Sequence, residues 1–125
     1  MRMGKKILIA EDSSVILNLT KKILVQQQYE ISSAKDGEEL MSKIGAEDFD
    51  LLLLDINIPK KDGMACAKEI RALGNPSKAN IPIFAITGNA KNYSSEDFAS
   101  VGINEYLQKP VNFDELVDLT AKYIS

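Results

Sequence analysis

Apolar and polar positions fall along this chain in two kinds of block. Short apolar runs predict five strands: Lys6 to Ala10 (KILIA), Glu30 to Ser33 (EISS), Phe49 to Leu54 (FDLLLL), Ile81 to Ile86 (IPIFAI) and Asn104 to Gln108 (NEYLQ). The third and fourth are continuously apolar, which suits strands covered on both faces. The stretches between them carry apolar residues at helical spacing. Val15, Ile16, Leu19, Ile23 and Leu24 make one stripe, with Ser13 or Asp12 as its cap. Leu40, Met41 and Ile44 make a second, and Met64, Ala67, Ile70 and Leu73 a third. Phe113, Leu116, Val117, Thr120 and Ile124 make the last. The segment Ala90 to Ser100 is the weakest helix, rich in Asn, Ser and Tyr, with Phe98 and Val101 as its inward residues. Gly37, Gly74, Gly88 and Gly102 fall near element ends.

Five strands alternating with five helices predict an α/β fold, a doubly wound parallel sheet with helices on both faces, because parallel neighbours need right-handed crossovers. The 125 residues suit one ordinary domain over 1–125. In such a sheet ligands bind outside the carboxyl ends of the strands, where the strand order reverses. The residues just after each strand therefore decide the chemistry.

Composition narrows that chemistry. A net charge of −3, from 15 basic and 18 acidic residues, argues against direct nucleic-acid binding, which needs a basic stripe. No apolar run, Leu51 to Leu54 included, is long enough to cross a bilayer, and no secretory signal is readable. A single cysteine, Cys66, cannot form an internal disulfide, so a cytoplasmic location is expected. The chain has no histidine. That excludes Ser-His-Asp and Cys-His catalysis, histidine-ligated zinc and a phosphohistidine on this chain.

The strand ends supply a consistent set. Glu11 and Asp12 follow the first strand, Asp55 ends the third, Thr87 the fourth, and Lys109-Pro110 follow the fifth. Any one of them reads as a cap or a loop residue. Together they bring three carboxylates, a hydroxyl and an ammonium to one sheet edge. Crowded carboxylates repel unless a cation lies between them. Oxygen ligands that leave room for water suit Mg²⁺.

On these residues the chain resembles a response-regulator receiver domain of two-component signalling, over essentially its whole length. The flanking D-I-N-I-P-K-K-D-G-M and A-K-D-G-E-E-L stretches agree, including Pro59 and Gly63 after Asp55. The resemblance implies a flavodoxin-like sheet of order 2-1-3-4-5. It implies that Asp55 accepts a phosphoryl group from a phosphohistidine on a sensor histidine kinase or a histidine phosphotransfer protein. Glu11, Asp12, Asp55 and the backbone carbonyl of Asn57 would hold Mg²⁺, with Glu11 in place of the more frequent Asp. Lys109 and the Thr87 hydroxyl would neutralise the phosphoryl oxygens. Thr87 and Tyr106 would form the switch, read out by a downstream protein or an attached effector. That readout would use the fourth helix, fifth strand and fifth helix, including Ala90, Lys91 and the segment from Val111 to Tyr123. Asn57 and Asn89, short and polar at the mouth of the site, would admit water and keep the acyl phosphate short-lived.

Rival readings fit less well. A haloacid-dehalogenase-like phosphatase wants a second Asp two residues after its nucleophile, where this chain has Asn57. A flavodoxin-like electron carrier would set its FMN phosphate against Glu11 and Asp12. The P-loop motif is absent. A phosphorylation-independent interaction module would not need the full residue set. Met41, Met64 and Cys66 read as core residues, and Lys60-Lys61 as a solvated loop pair.

Overall fold

The five apolar runs form one parallel sheet in a computed structural model that describes residues 4–88 and 93–124. The strands are β1 (Lys6–Ala10), β2 (Glu30–Ala34), β3 (Leu51–Asp55), β4 (Ile83–Thr87) and β5 (Glu105–Gln108). Their spatial order is β2-β1-β3-β4-β5, every pair parallel. The order reverses between β1 and β3, and β3 runs through the middle with all its residues buried.

Among the described residues there are six helices: α1 (Ser14–Gln26), α2 (Gly37–Ala46), α3 (Gly63–Arg71), α4 (Pro76–Ala79), α5 (Ser95–Ser100) and α6 (Phe113–Ile124). The sequence pattern predicts five. The extra one, α4, is a single turn with no buried residue, so it leaves no apolar stripe to read. It forms because Asn75 caps the Ser77 amide and Pro76 supplies a preset φ at the first helical position. Within the fourth predicted helix the described residues resume at Tyr93 and the helix itself begins at Ser95, held by a capping box between Ser94 and Asp97. Of that prediction, Ala90 to Ser100, residues 90–92 lie outside the described residues.

The sheet's two faces make two cores. Leu8, Leu52, Leu54 and Ala85 pack with residues of α2, α3 and α5, including Leu40, Ile44, Cys66, Ile70 and Phe98. Ile7, Ile9, Leu51, Leu53, Phe84 and Ile86 pack with Leu24, Leu116 and Ile124 from α1 and α6. Each fully buried Leu or Ile contributes roughly 1.5–3 kcal/mol of transfer free energy. Met41 and Met64 lie at the margin of the first core, as expected. Cys66 is buried within it, and burial pushes its thiol pKa up to about 11. That thiol is inert packing.

One expected stripe is corrected. Val15 and Leu19 of α1 are 69% and 50% exposed, and the buried positions of that helix are Thr20 and Leu24. The apolar arc of α1 is wider than the sheet can cover. Thr20 fits inside because its hydroxyl donates back to the Ile16 carbonyl at 2.9 Å.

Candidate functional site

At the end of β1 the ladder continues for one residue, the Glu11 amide donating to the Ala34 carbonyl at 2.9 Å. That bond holds Glu11 against the sheet edge, 4% exposed, while Asp12 beside it is open to solvent. Asp55 ends β3 next door and is 3% exposed. Each of the three residues offers a carboxylate oxygen, and those atoms lie within 4.8 Å of one another. The site therefore stands at the β1/β3 reversal, where open parallel sheets bind their ligands.

Two buried carboxylates need donors, and local structure supplies them. The Ser13 amide donates to Glu11 Oε2 at 3.1 Å, and the Asn57 amide donates to Asp55 Oδ1 at 3.0 Å. Lys109 reaches across from the β5–α6 connection, its Nζ 3.0 Å from Asp55 Oδ2 and 3.4 Å from Glu11 Oε1. Its backbone is fixed as well, because the Lys109 amide donates to the Thr87 carbonyl at 2.8 Å. The Lys109–Pro110 peptide is cis. Among the described residues, no buried side-chain nitrogen or oxygen lacks a partner.

Electrostatics follow from this crowding. The pKa of Glu11 is raised, first by burial and then by the neighbouring charge of Asp55, against the opposing Ser13 amide and Lys109 ammonium. Burial alone would lower the Lys109 pKa, but its hydrogen bond to Asp55 and the charges of Asp55 and Glu11 raise it on balance. Three carboxylates answered by one ammonium leave an excess of negative charge. All the donors are hard oxygens and one carboxylate faces water, so the set fits a hydrated Mg²⁺.

The remaining expected residues are placed as follows. Thr87 ends β4 fully buried, beside Gln108 in the β4–β5 register. Asn57 is exposed one residue into the loop after Ile56. Tyr106 is 47% exposed and stacks on Phe98 with ring centroids 5.1 Å apart, facing outward in this conformation. Asn89, Ala90 and Lys91 lie outside the described residues.

Two features escape sequence reading. Lys60 is solvated as expected, but both lysines are also paired: Lys60 Nζ lies 3.6 Å from Asp36 Oδ2 and 3.8 Å from Glu38 Oε2, and Lys61 pairs with Glu69. The Asp-Gly pair heading α2 is the available signal, since Asp36 caps the Glu39 amide at 2.8 Å. The second is Arg71, at the end of α3. Its guanidinium donates to the carbonyls of Gly102 and Ala79 and to Asn104 Oδ1, at 2.6 to 3.1 Å. Nothing local in the sequence marks an arginine that closes a loop 31 residues away.

Comparison with known proteins agrees with this geometry. Residues 7–121 match the family described as the response regulator receiver domain. The chain is 31% identical over 123 residues to the CAI-1 autoinducer sensor kinase/phosphatase CqsS of Vibrio cholerae, covering 98% of this chain and 18% of the kinase. Among solved structures, the receiver domain of a sensor histidine kinase from Pseudomonas aeruginosa superposes with a TM-score of 0.86 at 30% identity, over 96% of this chain and 97% of that one. That structure holds a magnesium ion coordinated in its active-site cleft. The chemotaxis response regulator CheY4 of Vibrio cholerae superposes with a TM-score of 0.87 at 25% identity, over 98% and 100% of the two chains. With the sheet order, the acidic cluster and the family match in agreement, this chain belongs to the response regulator receiver domains of two-component signalling.

Proposed function

We propose that this domain accepts a phosphoryl group on Asp55 in a Mg²⁺-dependent reaction and passes the change to its α5–β5–α6 surface. The observation that carries the reading is the convergence of Glu11, Asp12 and Asp55 within 4.8 Å, with Lys109 Nζ 3.0 Å from Asp55.

Glu11, Asp12, Asp55 and the Asn57 carbonyl would hold Mg²⁺, which would supply positive charge against the phosphoryl oxygens. The other parts belong to the chain. A carboxylate oxygen of Asp55 attacks phosphorus, the phosphorus–nitrogen bond of the donor phosphohistidine breaks, and its electron pair stays on the imidazole. The product is an acyl phosphate on Asp55. The Asn57 amide orients the attacking carboxylate through its bond to Oδ1. Lys109, already beside Oδ2, turns its charge from the carboxylate to the transferred oxygens. The Thr87 hydroxyl joins them. As the Thr87 hydroxyl moves toward the phosphoryl group, Tyr106, stacked on Phe98, turns into the space behind it and alters the α5–β5–α6 face. Asn57, with Asn89, admits the water that ends the signal.

The domain assists its own phosphorylation and dephosphorylation rather than turning over a separate substrate. Its donor is a sensor histidine kinase or histidine phosphotransfer protein, and its reader is a target protein or an attached effector. Supporting this is the 31% identity with part of a sensor kinase/phosphatase. No described helix is long and apolar enough to cross a membrane, and a cytoplasmic location is part of the reading. The test is intact mass after incubation with acetyl phosphate, with Mg²⁺ or with a chelator in excess. One added phosphoryl group with Mg²⁺ alone is expected. Equal labelling in both samples, or none in either, would contradict the reading.

A further inference from the structure

The loop carrying Asn57 runs from Ile56 to Asp62, between β3 and α3. Its own bonds, such as the Lys61 amide to the Pro59 carbonyl, are few. Ile56 and Ile58 are buried anchors, but Asn57, Pro59 and Lys60 are exposed. The loop is instead seated against two helix starts. On the α3 side the Gly63 amide donates to the Ile56 carbonyl at 2.9 Å, and a Cβ at Gly63 would lie 2.8 Å from Ile56 Cα. On the α2 side the Gly37 amide donates to the Pro59 carbonyl at 3.0 Å, and the Lys61 amide donates to that same carbonyl at 2.8 Å.

The α2 contact is very close. A Cβ on Gly37 would run into the Lys61 backbone carbonyl and its Cβ. Only glycine lets the loop lie there. To reach that seat, Lys60 adopts φ +70°, in the left-handed region that non-glycine residues seldom enter. Its ammonium then meets Asp36 and Glu38 at the head of α2. A left-handed lysine persists only when its surroundings over-determine it. Here those surroundings are the Lys61 amide's bond to the Pro59 carbonyl, which closes a tight turn around Lys60, and the first turn of α2 that packs on it.

We propose that Gly37 is a positioning residue for the Mg²⁺ site: by seating Pro59–Lys61 against the head of α2, it fixes the course of the loop that carries the Asn57 carbonyl. Gly37 is no ligand. Its effect on the metal is exerted through the loop. Coupling of this kind is reciprocal, so Mg²⁺ should tighten the contact at Gly37 as the contact tightens Mg²⁺. The inference rests on the phosphoacceptor reading above.

The test is Mg²⁺ titration by calorimetry on the parent, Gly37→Ala and Gly45→Ala. Gly45 lies on the same helix, and a Cβ there meets nothing within 4 Å. Gly37→Ala is expected to weaken Mg²⁺ binding by roughly five- to tenfold, the lower end of ordinary coupling energies, with Gly45→Ala at the parent value. A folded Gly37→Ala that binds Mg²⁺ as tightly as the parent overturns the proposal. Should Gly37→Ala not fold, Lys60→Gly and Lys60→Val replace it. Both delete the ammonium, but only valine opposes a positive φ. Parent-like affinity for Lys60→Gly with weaker binding for Lys60→Val supports the proposal, and equal affinities overturn it. Amide exchange at Gly37 supplies a second readout. Slower exchange with Mg²⁺ in the parent is expected, and an unchanged rate counts against the coupling. A parent that binds no Mg²⁺ at all overturns the phosphoacceptor reading itself, and this inference with it.

Discussion

Lys109 and Asp55 stand 54 residues apart in sequence, yet the ammonium of one lies 3.0 Å from the carboxylate of the other. The same ammonium lies 3.4 Å from Glu11. Lys109 thus brings positive charge to two members of the acidic cluster.

That relationship sets ammonium and metal in competition. Lys109→Ala is expected to bind Mg²⁺ at least as tightly as the parent, while labelling by acetyl phosphate slows. Without Mg²⁺ the variant should be less stable, by about 1 kcal/mol for a pair that solvent partly screens. For a chain of this length that is roughly 4 °C in Tm. Calorimetry, thermal melts and labelling time courses check the three parts. Weaker Mg²⁺ binding together with unchanged labelling would contradict the assignment.

Glu11 gives the site a pH signature. Its folded pKa is raised above the ordinary carboxylate value near 4.5, because burial and the Asp55 charge disfavour ionisation. The folded state therefore binds this proton more tightly than the unfolded state. Stability without metal falls as pH rises from 4.5 through the folded pKa, and the loss is complete above it. Asp36 and Glu47 have lowered pKa values and contribute with the opposite sign, at more acid pH. The difference between the parent and Glu11→Gln isolates the effect. Without Mg²⁺, Glu11→Gln should gain stability relative to the parent as pH climbs from 4.5 towards 7. Parallel melting curves across that range would show that Glu11 carries no burden.

Arg71 should be costly to remove. Its guanidinium ties the end of α3 to the Ala79 carbonyl and to the Gly102–Asn104 turn before β5. Arg71→Ala is expected to lower unfolding free energy by about 2–3 kcal/mol in urea, since several acceptors lose a charged donor. Arg71→Lys should recover little, because an ammonium lacks the planar fork that spans these carbonyls. Full recovery by lysine would mean that charge alone suffices there.

The fold and most of the site were legible for one physical reason. Buried parallel strands demand unbroken apolar runs, so Leu51 to Leu54 and Ile83 to Ile86 announce themselves, and Asp55 and Thr87 stand out as the polar residues that end them. Binding chemistry at strand ends then follows from topology. What stayed hidden depends on long-range contact. Val15 and Leu19 share the periodicity of buried residues, and only the limited width of the sheet leaves them in water. Lys60 looks like any loop lysine until the backbone turns to φ +70°. Single-turn α4 buries nothing and carries no stripe. Arg71 acts through carbonyls, which have no sequence signature.

The central claim is that the acid ending β3, rather than Glu11 or Asp12 within 4.8 Å of it, forms the covalent bond to phosphorus. Borohydride reduces an acyl phosphate on aspartate to homoserine and leaves free carboxylates alone, so peptide mapping after treatment identifies the bonded residue. With acetyl phosphate and Mg²⁺, homoserine is expected at position 55 and at no other acid, and Asp55→Asn should yield none. Homoserine at position 12, reduced glutamate at position 11, or persistent labelling of Asp55→Asn would contradict the account.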